Sequence, residues 1–185
     1  MRRGMQDGLE MSEMDQGAVE EFRRKLVEVL PRLRRFAWSL TSDRSEADDL
    51  VQAACEKALA HMHQWRPGSR LDSWMFKILY NQMIDETRRS YRKKVHMPID
   101  DEHLTTAQVD GTQRIEAKIQ LKEVMEAMKR LSPQDRALIS LVCIEGMSYK
   151  EAAKTLDIPI GTVMSRLARA RKKLHQMIKD KKQGR

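Results

Sequence analysis

Only two of the 185 residues are cysteine, five are proline and eight are glycine, and aromatic side chains make up 5% of the chain. Cys55 and Cys143 stand at no metal-ligand or redox spacing, so neither a disulfide framework nor a zinc module is written here. Both are expected to pack as small apolar residues in a reducing cytosol. So little proline, glycine and aromatic content, beside 34% charged residues, argues against a barrel or sandwich and for a mostly helical protein. Long apolar runs are missing as well. Nothing approaches the roughly 20 residues that a spanning helix needs, and Met1 to Gln16 lack the apolar centre of a signal peptide. A cytoplasmic location is expected. There is no glycine-rich phosphate loop, no local signature around a serine or cysteine nucleophile, and no metal spacing among His61, His63, His96, His103 and His175. Catalysis, a metal and a cofactor are therefore not expected.

What the chain does have is positive charge, placed unevenly. The formal charge is +8 and the pI about 9.6, which favours a polyanionic partner. From Gly161 onward nine Lys or Arg face the single acid Asp180, a surplus that equals that of the whole chain. The first 160 residues are thus balanced, with a second basic cluster at Arg88, Arg89, Arg92, Lys93 and Lys94. Two separated basic faces imply two contacts with one polyanion.

Helical spacing accounts for most of the chain. Residues 1–17 have no period and are expected to be a disordered leader. Phe22, Leu26, Val29, Leu30, Leu33, Phe36, Ala37 and Leu40 then fall on one helical face. Pro31 should kink this helix or begin another. Ser45 is placed to cap a second helix running to about His63, with Glu46, Asp48 and Asp49 in its first turn. Trp65 to Ser69 form a turn cluster, and Leu71 to Lys94 predicts a third helix with Trp74, Ile78 and Ile84 inward. These make one small domain, 18–94. Residues 95–113 hold Pro98, Gly111 and four acids without a period, the pattern of a flexible linker. A second domain, 114–180, precedes a basic tail, 181–185. It opens with a helix over 114–130, and Ser132-Pro133-Gln134-Asp135 and Ser148-Tyr149-Lys150-Glu151 mark later helix starts. Gly146 is placed to end the helix between them. The fold class is all-α, two small helical domains joined by a linker.

The strongest local signal is Tyr149 to Lys173, a helix-turn-helix pattern. Ala153 suits the helix crossing, and Asp157 occupies the turn, where it tolerates the left-handed region. Leu156, Ile158, Val163 and Leu167 supply apolar contacts. If Val163 and Leu167 face inward, Thr162, Ser165, Arg166, Arg169 and Lys172 lie outward, where they can meet bases and phosphates. Arg171, Lys173 and the tail suit phosphates alone. In the third helix Trp74, Phe76, Tyr80 and Tyr91 mingle with Asn81, Gln82, Asp85, Arg88 and Arg89, a mixture suited to single-stranded DNA. Trp74 and Phe76 fit a core better. Asn81, Asp85, Arg88 and Arg89 share one side and are the better candidates.

Four runs carry a resemblance: Leu30-Pro31-Arg32-Leu33-Arg34-Arg35-Phe36-Ala37, Ala47-Asp48-Asp49-Leu50-Val51-Gln52-Ala53-Ala54, Leu71-Asp72-Ser73-Trp74-Met75-Phe76-Lys77-Ile78, and Gly161-Thr162-Val163-Met164-Ser165-Arg166-Leu167. In this order, over about residues 22–178, the chain resembles the extracytoplasmic-function sigma factors of the sigma-70 family. The resemblance implies that the first domain is sigma region 2 and the second region 4. It implies docking on RNA polymerase core through Asp48, Asp49, Gln52 and Glu56. It places minus-10 contacts on the loop Trp65 to Arg70, with Trp65, Ser69 and Arg70 singled out, and on Asn81, Asp85, Arg88 and Arg89. Minus-35 contacts fall on Thr162, Ser165, Arg166, Arg169 and Lys172. The implied partners are core polymerase, promoter DNA and an anti-sigma factor, with the free protein a monomer, and the acidic linker is expected to thread a positively charged polymerase channel. Ala54-Cys55 and His61-Met62-His63 depart from the family pattern. A stand-alone repressor or activator would instead predict a dimer on a palindrome.

Overall fold

A computed structural model describes the backbone of residues 3–94 and 112–183, and side-chain surroundings for 16–89 and 121–181. The described residues form seven α-helices and no strand. The linker lies outside them apart from its last two positions, which open a helix.

Helix α1, Arg3–Thr41, is longer than its apolar stripe. It continues through Pro31, whose side chain is exposed, while Val29, Leu33 and Phe36 on the opposite side are buried. Burial of that stripe outweighs the hydrogen bond lost at the proline, so no new helix starts there. The helix also takes in most of the expected leader, which contains no proline to stop it. Helix α2, Arg44–Ala60, is capped by Asp43 rather than Ser45: the Asp43 Oδ1 accepts from the Glu46 N–H at 2.9 Å. It ends three residues before the expected His63 and gives way to a 3₁₀ turn, Met62–Gln64. Helix α3, Leu71–Lys94, has the expected bounds. Phe36 and Phe76 meet edge to face at 5.1 Å between α1 and α3.

The second bundle comprises α4, Thr112–Lys129, α5, Pro133–Ile139, α6, Tyr149–Leu156, and α7, Ile160–Gln183. Ser132 caps α5, and Ser148 with Glu151 closes a full capping box on α6. After α5 the chain widens into a π turn, Ser140–Ile144, in which the Glu145 N–H reaches the Ser140 carbonyl at 2.9 Å. Gly146 follows in the left-handed region at φ 70° and reverses the chain. Asp157 sits at φ 55°, ψ 49°, between α6 and α7, as the helix-turn-helix pattern requires. Ala153, Leu156, Val163 and Leu167 are buried behind it.

The two bundles are not separate bodies. Helix α6 lies against α3, while α4, α5 and the π turn lie against α1, so the buried residues of both bundles form one continuous apolar cluster. Apolar edges left on α1 and α3 are covered by the second bundle rather than by water.

The turn at Asp157 yields a stability test. Asp157→Val should lower the unfolding free energy by about 1–2 kcal/mol, the cost of a left-handed β-branched residue, whereas Asp157→Gly should leave it within about 1 kcal/mol. Urea titration of both variants checks this, and equal losses would contradict the role given to the left-handed turn.

Candidate nucleic-acid interface

On α3, Asn81, Asp85, Arg88 and Arg89 are all exposed, further along the helix than the buried Met75, Phe76 and Leu79. They divide between two concavities. Asn81, Asp85 and Arg88 open on a cleft of about 490 Å³ whose other wall is Gln134, Leu138, Leu156, Ile158 and Arg166. Asp85 and Arg89 also border a groove of about 400 Å³ between α2 and α3, with Glu56, Lys57 and Gln82.

The loop before α3 contributes less than its sequence promised. Trp65 is only 6% exposed; its ring meets Phe22 at 5.6 Å, and the Lys25 Nζ lies 5.3 Å from its centroid. Its expected DNA contact is corrected, because the ring fills the end of the α1–α3 core and is unavailable for base stacking. Ser69 and Arg70 are exposed. Gly68 at φ 79° turns the loop, and the Ser69 Oγ donates to the Arg66 carbonyl at 2.7 Å.

On α7, Thr162 is half-buried, while Ser165, Arg169 and Lys172 are exposed. The Ser165 Oγ donates to the Thr162 carbonyl, and the Arg169 Nε to the Ser165 carbonyl at 3.3 Å. Both side chains are thus held to their own helix by local bonds that a ligand can displace. Arg166 is different. Its Nη1 donates to the Gln134 Oε1 at 2.5 Å, and it faces Tyr80 across the cleft. Burial raises the Tyr80 phenol pKa while Arg166 and Arg88 oppose that rise. The principal candidate reader of α7 therefore points at the candidate readers of α3. Cys143, expected to be packed, is exposed instead, its Sγ accepting from the Arg171 Nη2 at 3.2 Å. Cys55 is half-buried, and burial raises its thiol pKa.

Helix α2 carries an acidic outer face. Asp48, Asp49, Gln52 and Glu56 are exposed opposite the buried Ala47, Leu50, Val51, Ala54 and Ala58. The Gln52 Nε2 donates to the Glu56 Oε1 at 3.0 Å, and Arg34 lies 3.7 Å from Asp48 with both largely in water, a pair worth little.

An ion network between the bundles was not legible in the sequence. Glu145, whose side chain is fully buried, accepts from the Arg32 Nε at 2.8 Å and from Arg35 at 3.3 and 3.4 Å. Arg32 also donates to the Asp72 Oδ2 at 2.8 Å. Arg70 binds both Asp72 oxygens, at 3.1 and 2.8 Å, and reaches Glu151, the residue that closes the α6 capping box. Nearby, the buried Ser140 Oγ donates to the Ser39 Oγ at 2.6 Å and the Arg136 Nη1 to the Leu40 carbonyl at 2.6 Å. Burial acting alone raises the Asp72 pKa, but the bonds from Arg70 and Arg32 outweigh it and hold the carboxyl at about 2. Among the described residues no cluster of His, Cys, Asp and Glu could hold a metal, and no helix is long and apolar enough to cross a membrane.

The chain is similar to known proteins. The model of sigma-70 region 4 matches residues 121–174, and that of the sigma2 domain of PhyR matches residues 26–80. The ECF RNA polymerase sigma factor EcfG of Rhodopseudomonas palustris is 33% identical over 159 residues, covering 86% of this chain and 86% of that protein. SigM of Mycobacterium tuberculosis, another ECF RNA polymerase sigma factor, is 33% identical over 167 residues, 89% of this chain and 79% of its own. The sigma factor RpoE from Bartonella quintana, solved in complex with the anti-sigma factor NepR, superposes with a TM-score of 0.72 at 34% identity, over 86% of this chain and 98% of that one. The chain belongs to the extracytoplasmic-function sigma factors of the sigma-70 family, RNA polymerase sigma factors that act in transcription initiation.

Asp72 gives a pH prediction. Because its folded-state pKa is depressed below the usual carboxylate value of about 3.9, its contribution to stability is complete above about pH 4 and is lost as pH falls through about 2. Urea unfolding followed from pH 5 to 2 should therefore decline less steeply for Asp72→Asn than for the wild type. Parallel declines would refute the charge assignment.

Proposed function

We propose that the first bundle, as region 2, docks on core polymerase through Asp48, Asp49, Gln52 and Glu56 and engages the melted minus-10 strand. Ser69, Arg70, Asn81, Asp85, Arg88 and Arg89 make that engagement, with amides and hydroxyls meeting base edges and arginines holding phosphates. The second bundle, as region 4, reads minus-35 duplex with α7 in the major groove. Thr162, Ser165, Arg166, Arg169 and Lys172 supply the contacts, and an arginine paired bidentately to guanine discriminates by about 1–3 kcal/mol. Sequence-independent affinity comes from the nine cations beyond Gly161.

The observation that carries this reading is the helix-turn-helix itself: a capped α6, Asp157 in the left-handed region, and α7 with Val163, Leu167 and Ala170 buried while Ser165, Arg169 and Lys172 face outward. The protein acts in the cytoplasm as a monomer until it joins polymerase. Since RpoE of Bartonella quintana forms a complex with the anti-sigma factor NepR, an anti-sigma factor of similar kind is proposed as this chain's regulator. The linker's proposed path through a polymerase channel concerns residues outside the described ones.

Transcription from a cognate promoter with purified core polymerase tests the assignment. Arg166→Ala should reduce the yield about tenfold, as expected for the loss of roughly 1.4 kcal/mol of base recognition. Asn81→Ala should impair strand opening, scored by permanganate reactivity of minus-10 thymines, while leaving core binding intact. Full activity in both variants would overturn the residue assignments.

A further inference from the structure

The loop before α3 is tied to α1 as well as to itself. Its internal bonds are local: the Trp65 N–H donates to the Met62 carbonyl at 2.9 Å, and the Ser69 N–H and Oγ both donate to the Arg66 carbonyl, at 3.0 and 2.7 Å. Such bonds fix the shape of a turn but not its direction relative to the bundle. Direction comes from α1. The Lys25 Nζ lies 2.9 Å from the Glu21 Oε1, one turn earlier, and 5.3 Å from the centroid of the Trp65 ring. The hydrogen bond from Lys25 lowers the Glu21 pKa, and the Gly68 backbone N–H adds to that effect from the apex of the loop. Phe22, between the two, meets the Trp65 ring edge to face at 5.6 Å and Trp74 at 6.1 Å.

Two features separate this pair from an ordinary solvated one. The Arg24–Glu28 pair, with the same spacing on the same helix, leaves 62% and 59% of its side-chain surface exposed, whereas Lys25 and Glu21 leave 27% and 33%. A cation drawn partly out of water gains more from a carboxylate and from an indole face than one in bulk solvent. The buried Trp65 indole N–H has no hydrogen-bond partner among the described residues, so the ring is held by its packing and by Lys25.

We propose that Glu21 and Lys25 are positioning residues for minus-10 recognition: they grip the loop at its start, Trp65, and at its apex, Gly68, and so set where Ser69 and Arg70 meet the melted strand. The proposal rests on the minus-10 role assigned to that loop. Neither side chain needs to touch DNA. Gly68, at φ 79°, gives the turn a freedom that an outside contact must remove. Groups that stand in place before an unstacked base arrives discriminate better than groups ordered on binding, because that ordering subtracts from the affinity.

The test measures binding of a fluorescent single strand carrying the minus-10 sequence of a cognate promoter, and of a scrambled strand, to the full chain assembled with core polymerase. The ratio of the two affinities reads positioning, and their common level reads charge. Glu21→Ala and Lys25→Ala place a strong helix former in α1 and shift the net charge in opposite directions. Charge alone therefore predicts tighter binding of both strands by Glu21→Ala and weaker binding by Lys25→Ala. Positioning predicts instead that both variants lose preference for the minus-10 strand about tenfold. Lys25→Arg, which keeps a cation over the ring, should retain it. Circular dichroism confirms folding, and if one alanine variant unfolds, the other and Lys25→Arg decide the question. An unchanged preference in the folded alanine variants, while Arg70→Ala loses it, overturns the positioning role alone. A wild type without preference, or Ser69→Ala and Arg70→Ala variants that keep it in full, overturns the minus-10 assignment of the loop and the positioning role with it.

Discussion

The relation between the two halves depends on one carboxylate. Glu145 sits between two bends of the chain, the π turn that follows α5 and Gly146 in the left-handed region. It lies with no exposed side-chain surface between two arginines of α1. Burying such a charge is unfavourable unless its partners and hydrogen bonds are all in place. Arg32 meets both requirements by linking Glu145 to Asp72 on α3, and its guanidinium also lies over the Phe76 ring at 5.4 Å. The second bundle is thereby tied to α1 and α3 together, the two helices that carry the front bundle's core.

Around this point the contact is ordinary packing. The Ser39–Ser140 bond, the Arg136 bond to the Leu40 carbonyl and the apolar cluster common to both bundles exclude water from the α1 side. On the α3 side the same closure leaves a polar cleft, where Arg166 finds the neutral Gln134 instead of an acid. The cation is oriented without being neutralised. Arg169 and Lys172 remain in solvent, so the basic face of α7 is only partly withdrawn. Polar groups held by neutral or local partners are poised to exchange those partners for phosphates and bases, which a fully paired salt bridge would resist.

Much of the local structure was legible in the residues. The capping box at Ser148 and Glu151, the Ser132-Pro133 start of α5, the left-handed Asp157 and the bounds of α3 are each set by neighbours within a few positions. The acidic residues of α2 were named from the family resemblance. The misses arose where distant residues compete. Asp43 displaced Ser45 as the α2 cap, the buried stripe of α1 carried its helix past Pro31, and Trp65 left the loop surface because Phe22, more than forty positions earlier, completes its pocket. Cys143 lies outside the core because the π turn rotates that stretch toward Arg171.

The sequence by itself determined the helices, the helix-turn-helix and its basic outer face, and the four runs that mark the family. These depend on short-range periodicity and on side-chain chemistry that any context preserves. Only the tertiary structure decided that the two bundles close on each other, that Arg166 faces Asn81 across a cleft, and that Arg32, Arg35 and Arg70 hold Glu145 and Glu151. Charges separated by 81 to 113 positions carry no mark in the sequence to say which will meet. That choice falls to packing, which alone determines which ions lose their water and must find a partner.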